Sequence, residues 1–140
     1  MTSRRDIARQ VEVRAEGRCE YCCMHQSLQG ATFHVEHIIP QSRGGPTQLE
    51  NLAWACPSCN LRKANRLASV DTETNTLVSL FHPRIDHWPT HFRWDGYRLV
   101  GQTPIGRATV AALDLNHSRR IQIRQVEESF DLFPPTDGGE

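Results

Sequence analysis

Two identical short steps, Cys19-x-x-Cys22 and Cys56-x-x-Cys59, are the residues in this sequence whose type and spacing most clearly can do chemistry. Two thiolates separated by a tight turn reach one ion together, and two such pairs supply the four sulfurs of a closed tetrahedral zinc site. The chain has five cysteines. Their pairing suits a structural Zn²⁺ better than disulfides, which a reducing compartment would not keep. Cys23 is an alternative to Cys22 in the first pair; the reading takes Cys22 as the ligand and Cys23 as a buried apolar thiol. The interval from Cys22 to Cys56 is longer than that of a zinc ribbon, so the segment between the pairs should itself be folded.

That segment carries a second constellation. It runs His34-Val35-Glu36-His37-Ile38-Ile39-Pro40, then Gly44-Gly45 and Asn51-Leu52, and continues past the second pair into Asn60 and Lys63. An imidazole titrates near neutral pH and can take a proton from a water held within hydrogen-bond reach, which makes His37 a candidate general base. Taken in order, acid-His-Ile-x-Pro, Gly-Gly, Asn-Leu and Cys-x-x-Cys-Asn-x-x-Lys resemble the HNH endonuclease family. The likeness is to the branch with cysteine pairs bracketing the motif and asparagine at its third position, and it covers residues from Arg18 to Arg66.

The resemblance implies a ββα-metal core in which His37 activates water to attack phosphorus. It puts a single catalytic cation on Glu36 and Asn60, and gives Asn51 the task of holding the loop and helping to orient the base. Two hard oxygen donors favour Mg²⁺ or Mn²⁺, which would stabilise charge on the leaving 3′ oxygen. Lys63 belongs to the motif and, with Arg43, Arg62 and Arg66, is expected at phosphate; solvated helix-face charges are the alternative. His34, on the same strand face as Glu36, is open between an extra metal ligand, a phosphate contact and a structural histidine.

These side chains need elements to position them. Ser3 or Asp6 can cap a helix running to about Glu16, with Gly17 at its end. Phe33 to Ile39 reads as a strand stopped by Pro40. Gln41 to Asn51 reads as a loop, Leu52 to Ala55 as a short strand pairing back, and Pro57 as the first turn of a helix reaching about Leu67. On a strand Glu36 and His37 point to opposite faces, so the site must lie where the strand bends or ends. Further on, Thr76 to Phe81 reads as a strand, Phe92 to Val100 as a hairpin turning at Asp95-Gly96, and Pro104 to Leu115 and Ser118 to Phe130 as two helices. Trp88, Phe92 and Trp94 with Arg84, Arg93 and Arg98 could face DNA, although core packing is the favoured account of the rings. His82, His87 and His91 are interrupted by Pro83 and Pro89 and are read as structural or surface residues.

The expectation is therefore an α+β chain: a ββα-metal core stapled by a four-cysteine structural zinc, an N-terminal helix, and a C-terminal hairpin and helices. With 140 residues it is read as one domain, with the core at 18–68, an extension at 69–133 and a polar tail from 134 to 140. The absence of a long apolar run points away from the membrane and toward the cytoplasm. A formal net charge of zero is unhelpful for a nucleic-acid binder, but fifteen of the sixteen basic residues are arginine, whose planar fork suits phosphate, a bias that a GC-rich genome writing Arg for Lys explains equally well. DNA, duplex by default, is the expected substrate. RNA, or a zinc-binding interaction module without catalysis, remains the alternative. Biological role and oligomeric state are open.

Overall fold

The computed structural model describes residues 3–135, so the end of the expected polar tail, residues 136–140, lies outside the described residues. The chain divides into two compact units, Met1–Asn65 and Arg66–Glu140.

The first unit begins with helix α1, Arg4–Arg14, whose N-cap Ser3 accepts from the Asp6 amide through its side chain. Such a cap satisfies one of the amides a helix start leaves unpaired, and Asp6 in the first turn meets the positive end of the helix dipole. Strand β1, His34–His37, pairs antiparallel with β2, Leu52–Ala55, in the register Glu36 opposite Ala53 and His37 opposite Leu52. All of β2 is buried, and α1 packs on both strands, with its Val11 fully buried. Helix α2, Pro57–Lys63, starts with proline in its first turn, where no amide partner is needed, and packs against β1. The ββα arrangement expected from the motif is present. The helix is shorter than expected, ending at Lys63 because Ala64 takes φ +50°.

Two basic residues grouped beside the cysteines in the sequence are spent on this unit's backbone. Arg14 donates to the carbonyls of Leu49 and Leu52, and Arg18 to that of Cys23.

Among its described residues the second unit has two hairpins and three helices. β3, Ala68–Val70, pairs with β4, Leu77–Ser79; the first of these strands was not foreseen. A one-turn helix α3, Trp88–His91, also unforeseen, uses Pro89 in its first turn. It leads into β5, Phe92–Asp95, and β6, Arg98–Gly101, which turn at Gly96 and Tyr97. Helices α4, Pro104–Ala112, and α5, Ser118–Ser129, complete it. A Cβ on Gly106 would stand 2.1 Å from the His91 carbonyl oxygen, so only glycine lets α4 come this close.

The aromatic residues weighed as a DNA-facing surface pack on one another. Trp88 and Phe92 lie 5.0 Å apart between ring centres, and Trp94 and Phe133 4.9 Å. Arg124 covers Trp94 and donates to the carbonyls of Leu115 and Tyr97. Arg107 grips Asp71 through two hydrogen bonds of 2.9 and 3.0 Å. Asp71 in turn accepts from the amides of Glu73 and Thr74 and from the Thr74 hydroxyl, closing the β3–β4 turn.

Candidate active site and metal centre

The two cysteine pairs converge. The sulfurs of Cys19, Cys22, Cys56 and Cys59 all lie within 4.8 Å of one another, and all four residues are buried. Tetrahedral zinc with sulfur at about 2.3 Å requires sulfur-to-sulfur edges of about 3.8 Å. The Cys22–Cys56 pair already stands at 3.8 Å. Cys23, held at φ +67° and half-buried, stays outside the cluster.

Burial pushes the Cys19 and Cys59 thiols well up, whereas hydrogen bonds from neighbouring thiols hold Cys56 far below its ordinary value. Four sulfurs this close sustain four thiolates only around a cation, so the donor set fits a structural zinc. Local structure prepares the cluster. The Cys23 amide donates to the Cys19 carbonyl, closing the first turn, and Cys56 caps α2 with its sulfur accepting from the Cys59 amide.

β1 ends at His37, as the opposite-facing geometry of Glu36 and His37 requires. His37 is half-buried, with Nε2 2.9 Å from the Thr47 hydroxyl. If Nε2 carries the proton and donates it to Thr47, Nδ1 keeps the lone pair a base needs. In the sequence nothing distinguishes Thr47 from other loop threonines.

Asn51 is buried and spends its amide on the loop. Its Oδ1 accepts from the Ile39 amide, and its Nδ2 donates to the carbonyls of Ile39 and Pro46. The loop passes so close that a Cβ on Gly45 would stand 1.7 Å from the Ile39 carbonyl oxygen. The Gly-Gly and Asn elements of the motif thus meet at the chain just after His37.

Glu36 is 4% exposed, and each of its oxygens is engaged. Tyr21 donates its hydroxyl to Oε1 at 2.6 Å, and Lys63 donates its ammonium to Oε2 at 2.7 Å and to the Ile38 carbonyl at 2.8 Å. Lys63, expected at phosphate, is only 2% exposed and faces this carboxylate instead of solvent. Burial first, then the Glu36 charge and the hydrogen bond to it, push the Tyr21 phenol well above its ordinary value and keep it a protonated donor.

Tyr21 was not anticipated; its one signal is its place inside the first cysteine turn. Each Glu36 oxygen retains a second lone pair. Asn60, on α2, is half-buried, and its side-chain amide has no hydrogen-bond partner among the described residues. Both side chains carry oxygen donors of the type a hard divalent cation takes.

Arg43 and Arg62 are exposed, as is His34. Arg66 is half-buried and donates to the Ala112 carbonyl within the second unit.

Comparison with known proteins agrees with this geometry. The family model described as HNH endonuclease matches residues 19–66. The chain is 25% identical over 109 residues to the Septu protein PtuB of Bacillus thuringiensis, an alignment covering 76% of this chain and 40% of that protein. The chain therefore spans well under half the length of this curated relative. No solved structure matches it. The segment 19–66, which holds both cysteine pairs, the β1–β2 hairpin and α2, is thus the part of the chain that is similar to HNH endonucleases.

Proposed function

We propose that the chain is a metal-dependent endonuclease hydrolysing phosphodiester bonds of DNA, with residues 18–68 as its nuclease core and 69–133 as an extension to it. The observation that carries this reading is the juxtaposition of Glu36 and His37 at the end of β1, with His37 held by Thr47 and the chain beyond it pinned by Asn51.

In this reading His37 is the general base. Thr47 fixes the ring, and the free nitrogen accepts the proton of a water aligned on phosphorus. Asn51 keeps the strand end from drifting, so the base stays within reach of that water. Glu36 and Asn60 would hold one Mg²⁺ or Mn²⁺, whose positive charge stabilises the leaving 3′ oxygen. The exposed Arg43 and Arg62 are assigned to phosphate, where their planar forks match its oxygens. Buried Lys63 acts on Glu36 and is not assigned to substrate. No helix among the described residues is long and apolar enough to cross a membrane, and the thiol-rich zinc site suits a reducing cytoplasm.

The test is incubation of the purified chain with duplex DNA, single-stranded DNA and RNA, in Mg²⁺, in Mn²⁺ and in EDTA. Metal-dependent cuts in duplex DNA bearing 3′-hydroxyl ends support the proposal. Cleavage of RNA alone changes the substrate class, and binding without cleavage of any of the three overturns the enzymatic reading.

A further inference from the structure

Glu36 is held by two donors, and each comes from a segment that also carries zinc ligands. Tyr21 lies between Cys19 and Cys22. Lys63 lies one helical turn beyond Cys59 on α2, the helix Cys56 caps. One donor stands on each cysteine pair, and each reaches a different oxygen of the same buried carboxylate.

We propose that Tyr21 and Lys63 are positioning residues for Glu36, and that through them the four-cysteine cluster sets how tightly the active site holds its divalent cation. The proposal rests on the reading of Glu36 as a cation ligand. A carboxylate free to rotate presents its lone pairs to a cation only part of the time. One clamped at both oxygens presents the remaining pairs in one fixed direction, and supports of this kind around metal ligands commonly govern affinity.

The identity of the second donor supports this. Fifteen of the chain's sixteen basic residues are arginine, and its one lysine is the residue buried against Glu36. A guanidinium fork takes both oxygens of a carboxylate at once. An ammonium takes one, which leaves Oε1 to Tyr21 and a lone pair on each oxygen uncommitted. Lys63 also donates to the Ile38 carbonyl, so the same ammonium ties down the backbone next to His37.

The experiment compares the full wild-type chain with Tyr21→Phe, Lys63→Arg, Glu36→Gln and the double variant Tyr21→Phe/Glu36→Gln. Tyr97→Phe, a tyrosine change in the second unit, is the control. Zinc per chain is counted chemically, and Mn²⁺ binding is read from the loss of the free-ion electron paramagnetic resonance signal. The Mg²⁺ needed for half-maximal DNA cleavage is measured alongside.

Tyr21→Phe should keep its zinc, weaken Mn²⁺ binding about tenfold and raise the half-saturating Mg²⁺ by the same factor, the scale of one hydrogen bond to a charged group. Cleavage at saturating Mg²⁺ should stay within about threefold of wild type, a split that general destabilisation would not produce. Lys63→Arg should likewise lose Mn²⁺ affinity while retaining zinc. In the Glu36→Gln background Tyr21→Phe should change Mn²⁺ binding no further, because its effect passes through that carboxylate.

Mn²⁺ affinity within twofold of wild type in Tyr21→Phe, or an additive loss in the double variant, overturns the clamp. If wild type cleaves and binds Mn²⁺ while Tyr21→Phe matches it, the clamp is wrong and the nuclease reading stands. If wild type neither cleaves nor binds, both fall.

Discussion

Replacing Lys63 by methionine removes one charge and leaves an unbranched apolar side chain one atom shorter. The Lys63–Glu36 contact is 2.7 Å long, with 2% and 4% of the two side chains exposed, so a carboxylate left without its ammonium gains little solvation in exchange. Removing one partner of a buried ion pair costs about 3–5 kcal/mol, chiefly because the other charge is left uncompensated. The unit Met1–Asn65 is small. In domains of that size each kcal/mol moves the midpoint by about 4–8 °C, so the loss amounts to at least about 12 °C.

The double variant Glu36→Gln/Lys63→Met leaves a neutral amide beside an apolar chain, with the Tyr21 hydroxyl still in reach. It should recover about 2–3 kcal/mol relative to the sum of the single changes. The assay is guanidinium unfolding of the zinc-loaded proteins followed by far-ultraviolet circular dichroism. A single-variant loss below about 1 kcal/mol, the scale of an exposed pair, or strict additivity in the cycle would refute the reasoning.

Other perturbations separate the remaining parts. Cys56→Ser should release the zinc and unfold the first unit, since structural zinc contributes about 10–16 kcal/mol of binding free energy that such small folds depend on; a folded, zinc-free variant seen by metal analysis and circular dichroism would contradict this. Asn51→Asp puts a carboxylate oxygen where Nδ2 now donates to the carbonyls of Ile39 and Pro46. It should cost about 2–4 kcal/mol and lower cleavage at least about tenfold with zinc retained, as followed by unfolding and plasmid assays. In the second unit, the Arg107 guanidinium beside Asp71, aided by the donors of the β3–β4 turn, holds that carboxyl well below the usual carboxylate range. A depressed folded value means stability that is present at neutral pH and lost as pH falls below about 4. Asp71→Asn should flatten that part of the profile in urea midpoints at pH 7 and pH 3, and an unchanged slope would count against the assignment.

The readable parts of this sequence were those whose information is local. β2 begins and ends where the apolar run Leu52–Ala55 does, between Asn51 and the Cys56 cap, and Ser3 caps α1 by a three-residue reach. The two cysteine pairs announce a shared ion because turn geometry and ligand chemistry both act over short spans. The structure departed from expectation where distant partners decide. Helix α2 stops short of Leu67 because Ala64 adopts a positive φ, and β3 is too short and too mixed to show a strand period. One-turn α3 is hidden for the same reason, its four residues giving no helical repeat. Lys63 was visible as part of a motif, but its burial depends on Glu36, 27 residues earlier in the chain. Tyr21 reaches the same carboxylate from 15 residues away, and Thr47 meets His37 across a loop that composition shows only as a loop.

Whether His37 acts as the base of a DNA-cutting site is decided with supercoiled plasmid in Mg²⁺, comparing wild type with a zinc-loaded His37→Ala variant of equal thermal midpoint. A general base at His37 gives nicked or linear product from wild type, loss of that product in EDTA, and a fall of about 10²–10⁴-fold in the variant, the scale of general-base catalysis. Equal cleavage by both proteins would contradict it.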